Sequence, residues 1–494
     1  MRVLGPAVAV YLLGVLLEVV ALWALNDGVF AYTLDDPYVH LELARHLAQG
    51  EHGINAGEFS APASSLLWPW LLVPGWWLGG AVGWPLGLNL LAGLLATAAF
   101  AAAATRVFPS QQGAAVAFAL LMVVVGNLVP LTLTGMEHTL QVALAAWLAV
   151  ALLDVDAGGR ARPWAVLVAV LLPLVRFEDT GVVLLAAAWW AVRGQRAAGA
   201  LVAAAVVATL AGSSAWLHAR SGFWLPFSVL SKNAMFDRAL LEIYLPAVAV
   251  PLLLAGLATW WGARQGRVHA VLPALALAAM VGHTAIAQVG LFHRYLGYVT
   301  VLVVIVAAWT FREPLRRQAG TPGQRRPLVL VALILAVVNG KLLVDLPWAS
   351  AHIWRQQGQL HRLATEVVQG PVAVNDIGWV SLQNEHYVLD LVGLASADAL
   401  RARLEDGGVV WMDRLARDRG VQAVMIFDHW FPRLPRAWRR VGTLVVDVSA
   451  YAEDDRRVGL YALDRAGEER LRAGLEAFAP TLPQGVHLEL AADE

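Results

Sequence analysis

The chain has no cysteine. Disulfides, thiol catalysis and cysteine-based zinc sites are therefore excluded, while the compartment is left open. Charge is scarce: Asp, Glu, Lys and Arg make up 15% of the 494 residues, against about a quarter in ordinary soluble domains. That charge nearly balances, at −1, so bulk electrostatics point to no nucleic-acid partner. Several signatures are missing as well. No P-loop, dinucleotide glycine fingerprint, H-E-x-x-H helix or G-x-S-x-G elbow occurs, which argues against ATP-driven transport and metalloproteolysis of those motif types. No internal repeat is visible.

What is abundant is apolar: 59% of residues are hydrophobic and the mean hydropathy is +0.60. A bilayer-spanning helix needs about 20 largely apolar residues. Runs at 8–23, 88–104, 114–133, 200–217, 245–261, 272–291, 299–311 and 328–344 meet or approach that length. The first is expected to be a span and not a cleavable signal, because no small-residue cleavage site follows it and many spans come after. Periodicity places helices at about 7–26, 84–104, 113–133, 138–153, 163–175, 181–193, 198–218, 244–262, 268–290, 292–311 and 327–345, which gives about 11 transmembrane helices. Three are short, so tilted helices or a locally thinned bilayer are expected there. The apolar segment 65–78 is crowded by Trp68, Pro69, Trp70, Pro74 and Gly75 and reads as a re-entrant or interfacial helix, since one more crossing would reverse the parity. Many of the 21 tryptophans sit at the ends of apolar runs, such as Trp76, Trp77, Trp189, Trp190, Trp260 and Trp261. There an indole, apolar with one donor, suits the membrane–water boundary.

From Pro347 charges become frequent and apolar runs shorten. The expectation is an α-helical polytopic membrane protein, with a transmembrane domain over 1–346 and a soluble α/β domain over 347–494. In the latter, helices are expected near 351–368, 398–405 and 410–419, and strands at 372–374, 387–391 and 421–427. Orientation follows from the basic residues. The loop 312–326 carries Arg312, Arg316, Arg317, Arg325 and Arg326 and is placed in the cytoplasm, with Arg2, Arg106, Arg160, Arg162, Arg193, Arg196, Arg264 and Arg267 on the same side. The opposite side holds Arg45, Arg176, Arg220, Lys232, Arg238 and Arg294. The long loop 27–65 and the C-terminal domain then lie on the extracytoplasmic face of a plasma (inner) membrane.

Ionisable groups near hydrocarbon are costly, so they line cavities or meet one another. The alternation puts Asp35, Asp36, Glu58, Glu137, His138, Arg176, Glu178, Lys232, Arg294 and Tyr295 on that one face. Asp35 and Asp36 could bind a divalent metal (Mg, Mn or Ca), or one could act as general base while the other positions it. They could equally cap the helix whose run starts at Tyr38, because Asp36-Pro37 is a good start signal. Arg176 could clamp an anionic lipid phosphate or pair locally with Glu178 or Asp179. Arg294 and Lys232 face the same choice between phosphate and snorkelling to headgroups.

Several stretches carry a resemblance. Leu34-Asp35-Asp36-Pro37-Tyr38, then Ala44-Arg45-His46-Leu47-Ala48-Gln49-Gly50, Asn55-Ala56-Gly57-Glu58 and Ser64-Ser65-Leu66-Leu67-Trp68 resemble the first outer loop of GT-C-type membrane glycosyltransferases, nearest the bacterial terminal arabinofuranosyltransferase-like branch. Gly135-Met136-Glu137 is similar to that family's G-L-E-T, Arg176-Phe177-Glu178 to its R-P-E and Arg294-Tyr295 to its R-Y. Asp376-Ile377-Gly378, with Asp390 and Gly393-Leu394, is similar to the D-I-G and D-x-x-G-L of its trailing domain. Glu42 stands where the family often has Arg, His46 replaces the usual Asn, and Leu66 replaces a Pro. The resemblance implies an inverting transferase that takes a sugar, arabinofuranose in that branch, from a polyprenyl-phosphate donor to a cell-envelope glycan or lipid acceptor. One Asp would serve as base, and Tyr38, Glu58, Glu137, His138, Arg176, Glu178, Lys232, Arg294 and Tyr295 are the candidate substrate-binding residues. The competing readings are a transporter or flippase of a lipid-linked glycan, which predicts repeats and midplane charges, and a non-catalytic assembly factor, which would tolerate loss of both aspartates.

Overall fold

The computed structural model describes residues 2–233, 239–286, 290–320, 326–405, 408–447 and 453–492. A helix occupies the place of each expected span. Six are long and apolar enough to cross a membrane by themselves: Leu4–Leu25, Ala81–Val107, His138–Asp156, Arg196–Ser221, Ala247–Gln265 and Arg267–Ala285. Gly297–Thr310 joins Arg312–Gly320 through a 73° bend, and Gln112–Val125, Pro163–Val175 and Asp179–Val192 are shorter. The chain is a multi-pass membrane protein. The first helix turns Leu12, Leu13, Leu16, Leu17, Val20 and Trp23 outward, as a lipid-facing surface requires.

Between helices the contacts are made by small residues, because lipid offers no hydrophobic drive and close packing must supply the attraction. Ala92, Ala96, Ala99 and Ala103 are buried on one helix, and Ala145, Ala146 and Ala149 on the His138–Asp156 helix packed against it. A Cβ at Gly93 would overlap the Tyr11 phenol. That phenol bonds Thr132 at 2.8 Å and ties the first helix to the segment before Glu137.

Two expected helices are interrupted. The run 113–133 is split: Gln112–Val125 ends, Asn127 takes a left-handed backbone (φ 52°), and Leu128–Leu133 follows. Asn tolerates that conformation through its short polar side chain. Its amide donates to the carbonyl of Phe292, in the turn carrying Arg294. The run 292–311 likewise becomes a turn at Leu291–His293 and a buried helix, Gly297–Thr310. Segment 65–78 forms an 11-residue helix, Trp68–Leu78, about 16 Å long and too short to cross roughly 30 Å of hydrocarbon.

The Arg326–Arg355 helix continues through Pro347 into the C-terminal domain. That domain holds a six-stranded mixed sheet: β1 (Val372–Val374), β2 (Val388–Asp390), β3 (Ala423–Ile426), β4 (Arg439–Val446), β5 (Arg457–Ala462) and β6 (Val486–Leu490), ordered β2-β1-β3-β5-β4-β6. The first three strands are parallel and the rest antiparallel. The expected helix at 351–368 is instead the end of the long helix followed by Gln357–Arg362 and a wider turn, Leu363–Val368.

The long first loop is not free of this domain. Its helix, Asp36–Ala48, buries Tyr38, Leu41, Leu43 and Leu47 in one hydrophobic cluster with Ile353, Val374, Ile377 and Val380. β2 is an edge strand, and an open edge invites unwanted pairing. Here Asn55 covers it by donating to the Val388 carbonyl at 3.0 Å and accepting from the Val388 amide at 2.8 Å.

Candidate active site

The adjacent aspartates face different partners. Asp35 precedes the Asp36–Ala48 helix with helical backbone (φ −79°, ψ −31°), and its side chain makes no capping bond to it. The N-cap reading is thereby corrected for Asp35: its carboxylate is engaged across the domain boundary. One oxygen accepts from the Gly378 amide at 2.6 Å and the other from the Trp379 amide at 2.8 Å. Asp36 points the other way, with Oδ2 2.7 Å from Nη2 of Arg294 and its side chain 31% exposed. Tyr38 accepts from the Tyr32 amide at 3.1 Å and stacks on Trp379, with ring centres 4.4 Å apart and an 18° tilt.

The turn Thr134–Glu137 lies directly under the loop. Gly135 has φ 70°, and a Cβ there would stand 2.7 Å from the Tyr32 ring and 2.8 Å from Pro37, so only glycine admits this approach. Asn89 anchors the same turn by donating to the Met136 carbonyl at 3.0 Å. Arg294 is delivered by a turn in which Phe292 and His293 both have left-handed backbone (φ 57° and 52°). Such conformations cost bulky residues about 1–3 kcal/mol each and persist only where the surroundings impose them.

Around Tyr295 the charges converge. The guanidinium of Arg176 lies 4.8 Å from its ring centre and that of Arg294 4.9 Å away. His138 meets the ring edge-on at 5.2 Å. Arg176 meets three acceptors: Nη1 donates to Glu137 at 2.8 Å and to the Ser64 hydroxyl at 2.7 Å, and Nε donates to Glu178 at 2.8 Å. Burial alone would raise the Glu137 carboxyl, but Arg176 and neighbouring imidazoles overcome that and hold it at about 2. Burial likewise works against Glu178, and Arg176 again keeps it below its usual range. His138 bonds Gln141 at 3.2 Å, and Gln141 donates to Asp179 at 3.0 Å.

Arg294 differs. It is 8% exposed, yet only Nη2 is used, on Asp36 and on the Tyr295 hydroxyl at 3.0 Å. Its Nε and Nη1 have no hydrogen-bond partner among the described residues. Buried donors left unfilled are expensive, which makes this guanidinium a place for an anion.

The remaining expected residues fall elsewhere. Glu58 accepts from the Tyr387 hydroxyl at 2.5 Å and lies 3.7 Å from Arg419, so it joins the loop to the C-terminal domain. Lys232 sits in the Phe227–Asn233 helix, and its side chain lies outside the described residues. Motif reading left out Trp379, Gln141 and the orienting role of Gln357, which donates to Asp376 at 3.0 Å. Burial, then the nearby Asp35 and Asp36, push Asp376 well above the ordinary carboxylate range. Burial also lifts Asp35 to about 7 despite its two amide bonds, with Asp36 adding to the rise.

A divalent metal held by Asp35 and Asp36 does not fit this arrangement. The two carboxylates diverge, one onto amides and one onto a guanidinium, and among the described residues no three His, Asp or Glu side chains group to hold a metal.

Beside Ser65 and Phe177 opens a mostly apolar cavity of about 530 Å³, lined also by Leu43, Leu66, Trp70 and Leu217. A more polar basin of about 420 Å³, with Glu51, Glu58 and Arg220, adjoins it at Leu47, His52, Trp70 and Trp216.

Comparison with known proteins agrees with this architecture. Crystal structures of ArnT from Cupriavidus metallidurans match over 92% of this chain and 98% of theirs: in the apo state with 15% identity and a TM-score of 0.52, and bound to undecaprenyl phosphate with 14% and 0.51. The Archaeoglobus fulgidus oligosaccharyltransferase in its apo form matches over 95% of this chain and 78% of that one, at 10% identity and a TM-score of 0.50. No curated protein matches the chain significantly. A family described as a domain of unknown function (DUF8728) matches residues 351–461. The fold is thus the one these structures share, a helical membrane bundle carrying a C-terminal α/β domain.

Proposed function

We propose that this chain is a GT-C-type membrane glycosyltransferase that transfers a sugar from a polyprenyl-phosphate donor to a glycan or lipid acceptor of the cell envelope, with inversion and on the extracytoplasmic face. The observation that carries the reading is the Asp36–Arg294 pair: a partly exposed carboxylate against a buried guanidinium with two donors to spare. Asp36 is the general base. It takes the proton from an acceptor hydroxyl, which attacks the anomeric carbon while the lipid phosphate departs through an oxocarbenium-like state. Nε and Nη1 of Arg294 bind that phosphate as its charge develops. The apolar cavity beside Phe177 suits the polyprenyl chain. Undecaprenyl phosphate on the structurally similar ArnT supports a donor of this chemistry, and the motif resemblance favours arabinofuranose as the sugar.

Arg294→Gln tests the phosphate contact. A charge-assisted hydrogen bond is worth on the order of 1.5–3 kcal/mol, so donor affinity should fall about ten- to hundredfold with the fold intact. Unchanged affinity would remove Arg294 from the donor site.

The orientation is tested separately. With no native cysteine, single cysteines can be placed at the exposed Ala56, Ala477 and Ala157. In eleven crossings with the amino terminus inside, an impermeant thiol reagent labels the first two in intact cells or spheroplasts and spares the third. The reverse pattern inverts the topology.

A further inference from the structure

Polar bridges from side chains of the 35–58 loop to residues 378–388 of the C-terminal domain pin the loop along its length. Asp35 holds the amides of Gly378 and Trp379. Glu42 accepts from the Gln383 amide at 2.9 Å. Asn55 brackets Val388, and Glu58 takes the Tyr387 hydroxyl. The tightest point is Gly378, where any Cβ would overlap both the carbonyl oxygen and the carboxylate of Asp35. Trp379 then closes over Tyr38. The residue so gripped is the immediate neighbour of Asp36, and one peptide unit passes any shift of Asp35 to the next Cα.

We propose that Asp35 is a positioning residue, whose clasp on the amides of Gly378 and Trp379 lets the C-terminal domain set the aim of Asp36 at Arg294. This rests on the reading of Asp36 as the base. The clasp needs two acceptor oxygens in one plane, which a carboxylate supplies; asparagine supplies one and presents an NH₂ to the other amide. Glycine at 378 is needed for space, since its backbone is not left-handed. A reacting group displaced by about 1 Å can lose about a hundredfold in rate without losing ligand.

The experiment uses the full chain in detergent with three variants: Asp35→Asn, Gly378→Ala and the double substitution. Amide hydrogen exchange at 378–379 should quicken about tenfold in each single variant, as expected for one lost hydrogen bond, while exchange across β1 and β3 stays slow. Transfer assays should show kcat lowered about ten- to a hundredfold, with the affinity for polyprenyl phosphate unchanged because Arg294 is untouched. The double variant should be no worse than the poorer single one, since both break one clasp. Wild-type kcat in Gly378→Ala with released amides would overturn the positioning role. So would an Asp35→Asn variant as inactive as Asp36→Asn while its amides remain protected, because Asp35 would then act on substrate directly. Should the wild-type chain transfer no sugar at all, the assignment of the base fails and this proposal fails with it.

Discussion

Asp36→Asn is expected to cut sugar transfer by about 10²–10⁴-fold, the usual contribution of a general base. Asparagine keeps the shape and one acceptor of aspartate but has no basic carboxylate. It also removes the charge that faces Arg294 at 2.7 Å, so donor binding should be kept or slightly tightened while turnover collapses. A purely structural Asp36 predicts something else. As the first residue of the Asp36–Ala48 helix, it could be exchanged for asparagine at little cost, because both residues are accepted near helix starts. Measured kcat and donor Kd for the purified variant separate the two: near wild-type turnover would end the assignment.

Arg176→Gln should act on stability instead. This guanidinium is 6% exposed and compensates two carboxylates, Glu137, which is fully buried, and Glu178. Removing one partner of a buried ion pair costs about 3–5 kcal/mol, because the other charge is left unpaired in a poor solvent. That is a large part of the 5–15 kcal/mol that holds an ordinary domain together. The variant is therefore expected to melt well below wild type in detergent and to be recovered in low yield. Glu137→Gln in the same chain should restore part of the loss, since the stranded charge is then gone. A wild-type melting temperature for Arg176→Gln would mean that the pair contributes nothing and would return Arg176 to the donor phosphate. Arg294→Gln is milder by the same reasoning, because its partner Asp36 is 31% exposed.

The contrast between these arginines was not legible in the sequence. Both stand in short motifs beside apolar runs, and both are expected cations on one face. What separates them is the number of acceptors each meets, and two of the three for Arg176 come from residues 39 and 112 positions away. Asp35 is a stronger case: its partners lie 343 and 344 residues along the chain. Local spacing could give only a helix cap or a catalytic pair. The helices of the bundle were readable because lipid demands long apolar runs, and β1 falls at 372–374 as expected from three consecutive apolar residues. The break at Asn127 was overlooked, although Gly126-Asn127 with Pro130 after it interrupts the apolar run with turn-forming residues. β4, β5, β6 and the Arg465–Phe478 helix were also missed. β4 buries six consecutive residues after two exposed ones, so it lacks the alternation that betrays a strand, and its antiparallel partners follow later in the chain.

Sugar transfer itself can be measured directly. Purified protein is incubated with polyprenyl-phosphate sugars of different kinds and with cell-envelope glycan or lipid fractions, and products are read by mass spectrometry against the Asp36→Asn variant. The expected products are an acceptor heavier by one sugar residue and free polyprenyl phosphate released in equal amount, both absent with the variant. Release of neither product from any donor, or equal product from wild type and Asp36→Asn, would contradict the proposed function.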